Sequence, residues 1–238
     1  MNGFVLTMEE RDAINQGRWF CSLSPVLRHD ILRCASVKRF DDGDLIAARG
    51  DPARLWLGCA GGAVRVCSTS LAGKQITLTY IEPGIWFGDI AMFDGDQRTH
   101  DAYAHGPTTV LSVTRSNLER LLKQHVELYE ALLQLQARRI RLLFGQVEDL
   151  VALPLRARLA KQLHQLMRSY GAPHPEHSDE TLITLRLAQE ELAQLLGASR
   201  QRVNQELKAL ERDGVIRIDA AGLVVRDPQQ LSAAGSGD

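Results

Sequence analysis

The residues best placed to do chemistry stand in one short run, Gln189–Glu211, which reads QEELAQLLGASRQRVNQELKALE. Within it Val203, Leu207 and Leu210 recur at the spacing of a helix with one buried face. Arg200, Gln201, Asn204, Gln205 and Lys208 then fall on the opposite face. A guanidinium can donate two parallel hydrogen bonds to guanine O6 and N7, and an Asn or Gln amide can pair in the same way with adenine. A lysine answers the charge of a phosphate. The chemistry on offer is recognition of base edges in double-stranded DNA rather than bond making. An amphipathic helical hairpin with a solvated polar face is the plainer alternative, and the neighbouring residues argue against it. Leu192, Leu195 and Leu196 give the preceding segment its own apolar face, Ala193 allows two helices to approach closely, and Gly197 marks the turn between them. Ser199 suits the N-cap of the second helix, and its place beside Arg200 puts it in the same DNA-facing set. Behind the pair, Val215–Ile218, Gly222 and Leu223–Val225 predict a hairpin, read as a wing.

Few other residues offer reactivity. Cys21, Cys34, Cys59 and Cys67 show no CxxC spacing, so they read as reduced, partly buried thiols rather than cluster ligands. His174 and His177 stand at HxxH spacing in GAPHPEHSDE, a segment that reads as a loop. They are either solvated or a metal pair lacking further ligands. No nucleophile, base and acid set appears at useful spacing, so the chain is not expected to be an enzyme or to hold a covalent or metal cofactor. With 28 Lys and Arg against 29 Asp and Glu, any DNA-facing field must be local. No apolar run approaches the roughly 20 residues that span a bilayer, and the N-terminus lacks a signal-peptide pattern. A cytoplasmic protein with no membrane partner is expected.

The surrounding elements must position that helix pair. Residues 1–38 read as helical through Phe20, Leu23, Val26, Leu27, Ile31 and Leu32. From Val37 to Val113 short β-rich segments (Leu55–Leu57, Ala63–Val66, Ile76–Ile81, Val110–Val113) alternate with Gly43, Gly50, Gly61, Gly62, Gly73, Gly84 and Gly88. That pattern predicts a β-barrel or jelly-roll-like unit. Ser116 is the expected N-cap of a helix over Asn117–Gln124, and a longer helix follows from about Val126 to Val151. Its heptads place Val126, Leu133, Ile140 and Val147 at a, and Tyr129, Gln136, Leu143 and Leu150 at d. A β-branched-rich a layer favours a parallel two-stranded coil, and a helix packed on its own domain is the alternative. Pro154 ends that helix and opens the next, Leu155–Tyr170. The tail Leu231–Asp238 reads as disordered. The expected class is α+β, divided into a β-roll with flanking helices at 1–125, a dimerisation helix at 126–153 and a winged helix-turn-helix at 154–238.

From about Phe20 to Val225 the sequence resembles the Crp/Fnr family of bacterial transcription regulators. The resemblance is carried by GDLIAARGDPARLWL (Gly43–Leu57), GGAVRV (Gly61–Val66), FGDIAMFDGDQRT (Phe87–Thr99), ARRI (Ala137–Ile140) and the helix-turn-helix. It implies a β-roll that binds a cyclic nucleotide, a homodimer, a palindromic operator and contact with RNA polymerase. It also implies that Gly88, Arg98 and Thr99 hold a cyclic phosphate, with Asp89 at the ribose and Leu143 and Phe144 at the base. Exposed N–H groups and a planar guanidinium suit such an anion, and a surface salt bridge is the plainer role for Arg98.

The sequence departs from the family at several of these places. Asp89 is one methylene shorter than the Glu of the family's cyclic-AMP binders. Leu143 and Phe144 replace a Thr and a Ser and cannot hydrogen-bond a base edge. At the DNA face Arg200 matches the family's guanine reader, but Gln201 and Gln205 replace Glu and Arg, and Ala188 replaces a phosphate-contacting Thr. The iron–sulfur and haem branches are not expected, for want of a cysteine cluster or an identifiable axial ligand. The effector is expected to be a small anionic ligand, namely cyclic AMP, cyclic GMP or cyclic di-GMP, with weak selectivity for cyclic AMP. A constitutive DNA-binding regulator with a vestigial pocket, or a cyclic-nucleotide module that does not touch DNA, stand as alternatives.

Overall fold

The computed structural model describes residues 5–70, 75–220 and 222–236. The chain divides into two units, Met1–Ile140 and Arg141–Asp238, and each is taken by itself.

The first unit opens with α1 (Met8–Gln16). Thr7 Oγ1 accepts the Glu10 N–H while the Glu10 carboxylate accepts the Thr7 N–H, so each satisfies an orphan donor of the first turn. A 3-10 turn (Phe20–Ser22) leads to α2 (Pro25–Cys34), capped by Ser24 with proline at its first position. The strands are β1 (Ser36–Phe40), β2 (Leu45–Ala47), β3 (Leu55–Thr69), β4 (Gln75–Ile81), β5 (Trp86–Phe87) and β6 (Asp101–Thr114). They form one antiparallel sheet of order β1-β6-β3-β4, with β2 on β6 and β5 on β3. A single helical turn, α3 (Ile90–Phe93), lies between β5 and β6. Next come α4 (Arg115–Gln124) and α5 (Glu127–Ala152), whose last residues enter the second unit.

Aromatic side chains tie these helices to the sheet. Trp56 and Trp86 lie 4.3 Å apart between ring centroids, flanked by Trp19 and Phe20. Leu27, Ile31, Leu121, Leu128 and Leu132 complete this core. The Trp19 indole N–H donates to Ala131 O at 2.9 Å, so the start of α5 is held by a partly buried hydrogen bond as well as by packing.

Several expectations are corrected here. Leu55–Leu57 and Ala63–Val66 belong to one 15-residue strand, and Val110–Val113 is the end of a 14-residue one. Gly61 and Gly62 do not turn the chain. The pairing of β3 with β6 skips register beside them, as at a bulge. Gly62 has φ +73°, and a Cβ there would lie 2.3 Å from Pro107 O. Helix does not persist to residue 38, because Ser36–Phe40 pairs with β6. Val26 faces solvent rather than the core. Thr114, not Ser116, caps α4, its Oγ1 accepting the Asn117 N–H at 3.2 Å. The Gly73 turn lies outside the described residues.

The second unit holds α6 (Leu155–Tyr170), β7 (Gly171–Pro173), β8 (Thr181–Ile183), α7 (Gln189–Leu195), α8 (Arg200–Arg212), β9 (Ile216–Ile218), β10 (Leu223–Val225) and α9 (Pro228–Ser236). The expected wing hairpin forms as β9–β10, inside a four-stranded sheet of order β7-β8-β10-β9. Two expectations fail for physical reasons. The segment read as a loop at Gly171–Glu180 begins as a strand paired with β8. His174 is buried (7% exposed), stacked on His177 and 3.6 Å from the Asp219 carboxylate, so it is not solvated. The tail is not disordered over Leu231–Ser236. Asp227 accepts the N–H groups of Gln229 and Gln230 and starts α9, which buries Leu231. Residues 237 and 238 lie outside the described residues.

Candidate ligand seat and nucleic-acid interface

The turn from β5 into α3 and the run back into β6 hold the residues expected to seat a phosphate, all in the first unit. Gly88 has φ +79°, and a Cβ there would lie 2.8 Å from Arg98 Nη1. Glycine at this position therefore gives the guanidinium its place against the backbone. Arg98 Nη2 donates to Leu55 O at 2.7 Å. Its main chain is fixed as well, with Arg98 N–H on Asp51 O and Gly50 N–H on Arg98 O, both at 2.9 Å. Burial lowers the Arg98 guanidinium from its ordinary value, with nearby Asp51 opposing. Thr99 is exposed beside it, its Oγ1 2.8 Å from His100 Nδ1. Arg49, Gly50, Ser68, Asp96, Gln97, Arg98, Thr99 and His100 line an open, polar depression of about 380 Å³. The arginines and neutral donors of this surface suit an anion, while the Asp96 carboxylate opposes one.

Asp89 does not open onto this depression. Its side chain is 1% exposed. Both carboxylate oxygens accept from Arg139 Nη1 at 2.9 Å, and Gln136 adds a further bond. Arg139 also donates to Trp86 O. The acceptors of Asp89, which the family resemblance puts at a ribose, are thus engaged by residues of α5 in this structure. The heptad reading of Gln136 as a seam residue changes for the same reason. Sequence reasoning missed Arg139 as a functional contact, although it lies in the ARRI motif. It also missed Arg115, which donates to Ala53 O, Ala91 O and Met92 O and so fixes the end of α3.

Leu143 and Phe144 belong to the second unit and are exposed. They share that state with the other expected seam residues, among them Ile140 (53% exposed) and Val147 (57%), and with Val126, Leu133 and Leu150. Val126 itself precedes the first turn of α5.

In the DNA-facing pair, Glu191 accepts the Ala188 N–H at the start of α7, doing from within the helix what Ala188 cannot. Gly197 turns the chain at φ +58°. Ser199 Oγ accepts the Arg202 N–H at 3.3 Å and caps α8. Val203, Leu207 and Leu210 are buried, while Arg200, Gln201, Gln205 and Lys208 are exposed. Asn204 is half-buried and accepts from Gln189 Nε2 at 3.3 Å, which orients its amide. Arg202, not singled out from the sequence, is also exposed.

Comparison with known proteins decides what these parts are. A profile described as cyclic nucleotide-binding domain matches residues 37–125, and one described as Crp-like helix-turn-helix domain matches residues 157–234. The CRP-like cAMP-activated global transcriptional regulator of Mycobacterium tuberculosis is 31% identical over 81% of this chain and 85% of its own length. The chain belongs to the Crp/Fnr family. FixK2 from Bradyrhizobium japonicum has the same fold, at TM-score 0.74 and 22% identity over 84% of this chain and 96% of its own. So does the c-di-GMP responsive global regulator CLP of Xanthomonas campestris, at 0.69 and 21% over 86% and 100%.

This Crp/Fnr member is thus a DNA-binding transcription regulator with a cyclic-nucleotide-binding-type domain. The module that leaves DNA untouched is set aside by the matched helix-turn-helix. A second cavity of about 350 Å³ lies among Leu163, Ile183, Leu192 and Leu223, with Arg186 also in its lining. It is mainly apolar, unlike the polar depression of the first unit. Among the described residues no group of His, Cys, Asp and Glu is placed to hold a metal, and no helix is long and apolar enough to cross a membrane.

Proposed function

We propose that this regulator works as a homodimer that reads a palindromic operator under the control of a cyclic nucleotide held at Gly88, Arg98 and Thr99. The observation that carries the reading is the close approach of the Arg98 guanidinium to Gly88, which has φ +79° and no Cβ, at the edge of an open polar depression. An anion placed there meets a cation already fixed by Leu55 O, so little ordering cost remains. Asp89 and Arg139 then supply a rigid link from the cassette to α5. A ligand that binds one arrangement of that link better than another shifts the population of DNA-binding states. Arg200, Gln201, Asn204, Gln205 and Lys208 read the DNA, and Val126, Leu133, Ile140, Leu143, Val147 and Leu150 form the seam between two copies. RNA polymerase is the expected further partner.

The relative from M. tuberculosis is named for cyclic AMP and the Xanthomonas protein for cyclic di-GMP. With Leu143 and Phe144 lacking hydrogen-bonding groups, we place weak discrimination among cyclic AMP, cyclic GMP and cyclic di-GMP. A constitutive regulator with a vestigial pocket is the second reading, favoured by the complete internal pairing of Asp89.

Calorimetry with the three nucleotides on wild type and Arg98→Ala tests the proposal. The expected result is binding of at least one nucleotide and its loss or marked weakening in the variant. Tight, selective cyclic-AMP binding would overturn the account of Leu143 and Phe144. No binding by any of the three would favour the constitutive reading.

A further inference from the structure

We propose that His100 is part of the anion seat, deciding whether Thr99 can donate, and that a cyclic phosphodiester is therefore bound together with a proton. This rests on the ligand reading just given and extends it to a residue that reading leaves out. Thr99 Oγ1 and His100 Nδ1 are 2.8 Å apart, a full hydrogen bond. A hydroxyl has a single hydrogen. If Nδ1 is bare, the threonine hydrogen must point at the ring, and only lone pairs are left for the depression. If Nδ1 carries a hydrogen, the bond reverses and the Thr99 hydrogen is free to turn to a phosphate oxygen. The neutral tautomer with hydrogen on Nδ1 achieves the reversal without adding charge. An imidazolium achieves it and adds a positive charge beside Arg98 and Arg49, so an anion selects the protonated ring.

The surroundings fit such a coupling. Arg98 gives Nη2 to Leu55 O, which fixes its guanidinium beside Thr99 and His100 in the same lining. Arg49 approaches from the loop after β2, Ser68 from β3 and Asp96 from the loop after α3, and all three line the same depression. Asp101, at the start of β6, accepts the Arg49 N–H at 2.8 Å and a weak bond from the Thr69 hydroxyl at 3.4 Å. Burial, then the Arg49 charge, hold the His100 imidazole below its ordinary range, with Asp101 opposing. The ring is thus mostly neutral near pH 7 while the seat is empty. A bound anion reverses that balance and raises its pKa.

The sign follows from linkage. The ligand prefers protonated His100, so affinity is highest at low pH. Between the pKa of the free ring and that of the liganded ring, Kd rises by up to about tenfold per pH unit. A cyclic phosphodiester keeps its charge across the range in which imidazole titrates, so it adds no pH dependence of its own.

The test is calorimetry of full-length protein with cyclic AMP, cyclic GMP and cyclic di-GMP near pH 6 and pH 7.5. Measuring in buffers of different ionisation enthalpy counts the protons taken up. Wild type should bind on the order of tenfold more weakly at the higher pH, with net proton uptake between the two. His100→Gln, whose amide can donate to Thr99 at any pH, and His100→Ala should bind with no pH dependence and no uptake. Thr99→Val should bind more weakly at both pH values and keep a smaller pH dependence, since the imidazolium charge remains. Wild-type binding that ignores pH, or a pH dependence unchanged in His100→Gln and His100→Ala, overturns this inference and leaves the ligand reading intact. No binding of any nucleotide by wild type at either pH overturns both.

Discussion

α5 and α8 each leave a long face exposed, and the two faces differ in kind. On α5 the exposed apolar residues include Tyr129, Leu133, Ile140, Leu142, Leu143, Phe144, Val147 and Leu150. On α8 the exposed residues are polar and include Arg200, Gln201, Arg202, Gln205 and Lys208, over a buried row of Val203, Leu207 and Leu210. An apolar stripe at heptad spacing gains by leaving water, and a second copy of the same stripe is its natural cover. A polar, cationic face loses by leaving water unless its new partner returns every hydrogen bond, which base edges and phosphates do. Exposure is therefore not one signal. The side-chain chemistry says whether a face awaits another apolar surface or a polyanion.

The largest effect should come from reversing the α5 face. Ile140→Asp puts an uncompensated carboxylate from each copy into the seam, at a cost of about 3–5 kcal/mol per buried charge. Because Ile140 is half-exposed in the single chain, each copy should still fold. Sedimentation should show monomers with weak operator binding, and a variant that remains dimeric would sink the seam assignment.

Next comes the α8 face, where specific and general contacts can be separated. Arg200→Ala should cost about 1–3 kcal/mol on the preferred site and little on random duplex. Equal losses on both would make Arg200 a phosphate contact. Lys208→Ala should do less, weakening all sequences alike and making the slope of log K against log salt shallower by about 1. A sequence-dependent loss would instead assign Lys208 to a base.

A polar group paired within the chain is the control. Glu10 accepts from Arg39 Nη1 at 2.6 Å and from the Thr109 hydroxyl at 2.7 Å. Burial alone would raise its carboxyl, but the bonds from Arg39, Thr109 and Thr7 outweigh it and bring the pKa down to about 2. A carboxylate so lowered adds stability above its unfolded value, near 4.5, that is lost as pH falls from there toward 2. Glu10→Gln should flatten the acid limb of the stability curve and leave DNA affinity unchanged. An unaltered acid limb would remove Glu10 as its source.

The contrast also explains what the sequence made legible. The face of α8 was readable because one amphipathic period decides it, and each outward residue keeps its chemistry whatever lies around it. The single strand through Gly61 and Gly62 was not, since glycine looks the same at a turn and at a bulge, and the reason for Gly62 is the approach of Pro107 O from a distant strand. The partners of Asp89, Gln136 and Arg139, were not legible either, since they lie some fifty residues away, beyond any local pattern. The buried His174 and the final helix went unread for a related reason. Polar or small residues in Gly171–Glu180 and after Pro228 look like loop until Asp219 and α6 are there to receive them.

Selection of bound duplexes from a randomised pool tests the two faces together. If α5 pairs two copies and α8 reads bases, wild type should enrich a two-fold symmetric motif with half-sites about one helical turn apart, roughly 10–10.5 base pairs centre to centre. Arg200→Ala should lose one guanine position in each half-site. Enrichment of a single unpaired half-site, or of no motif at all, would contradict the account.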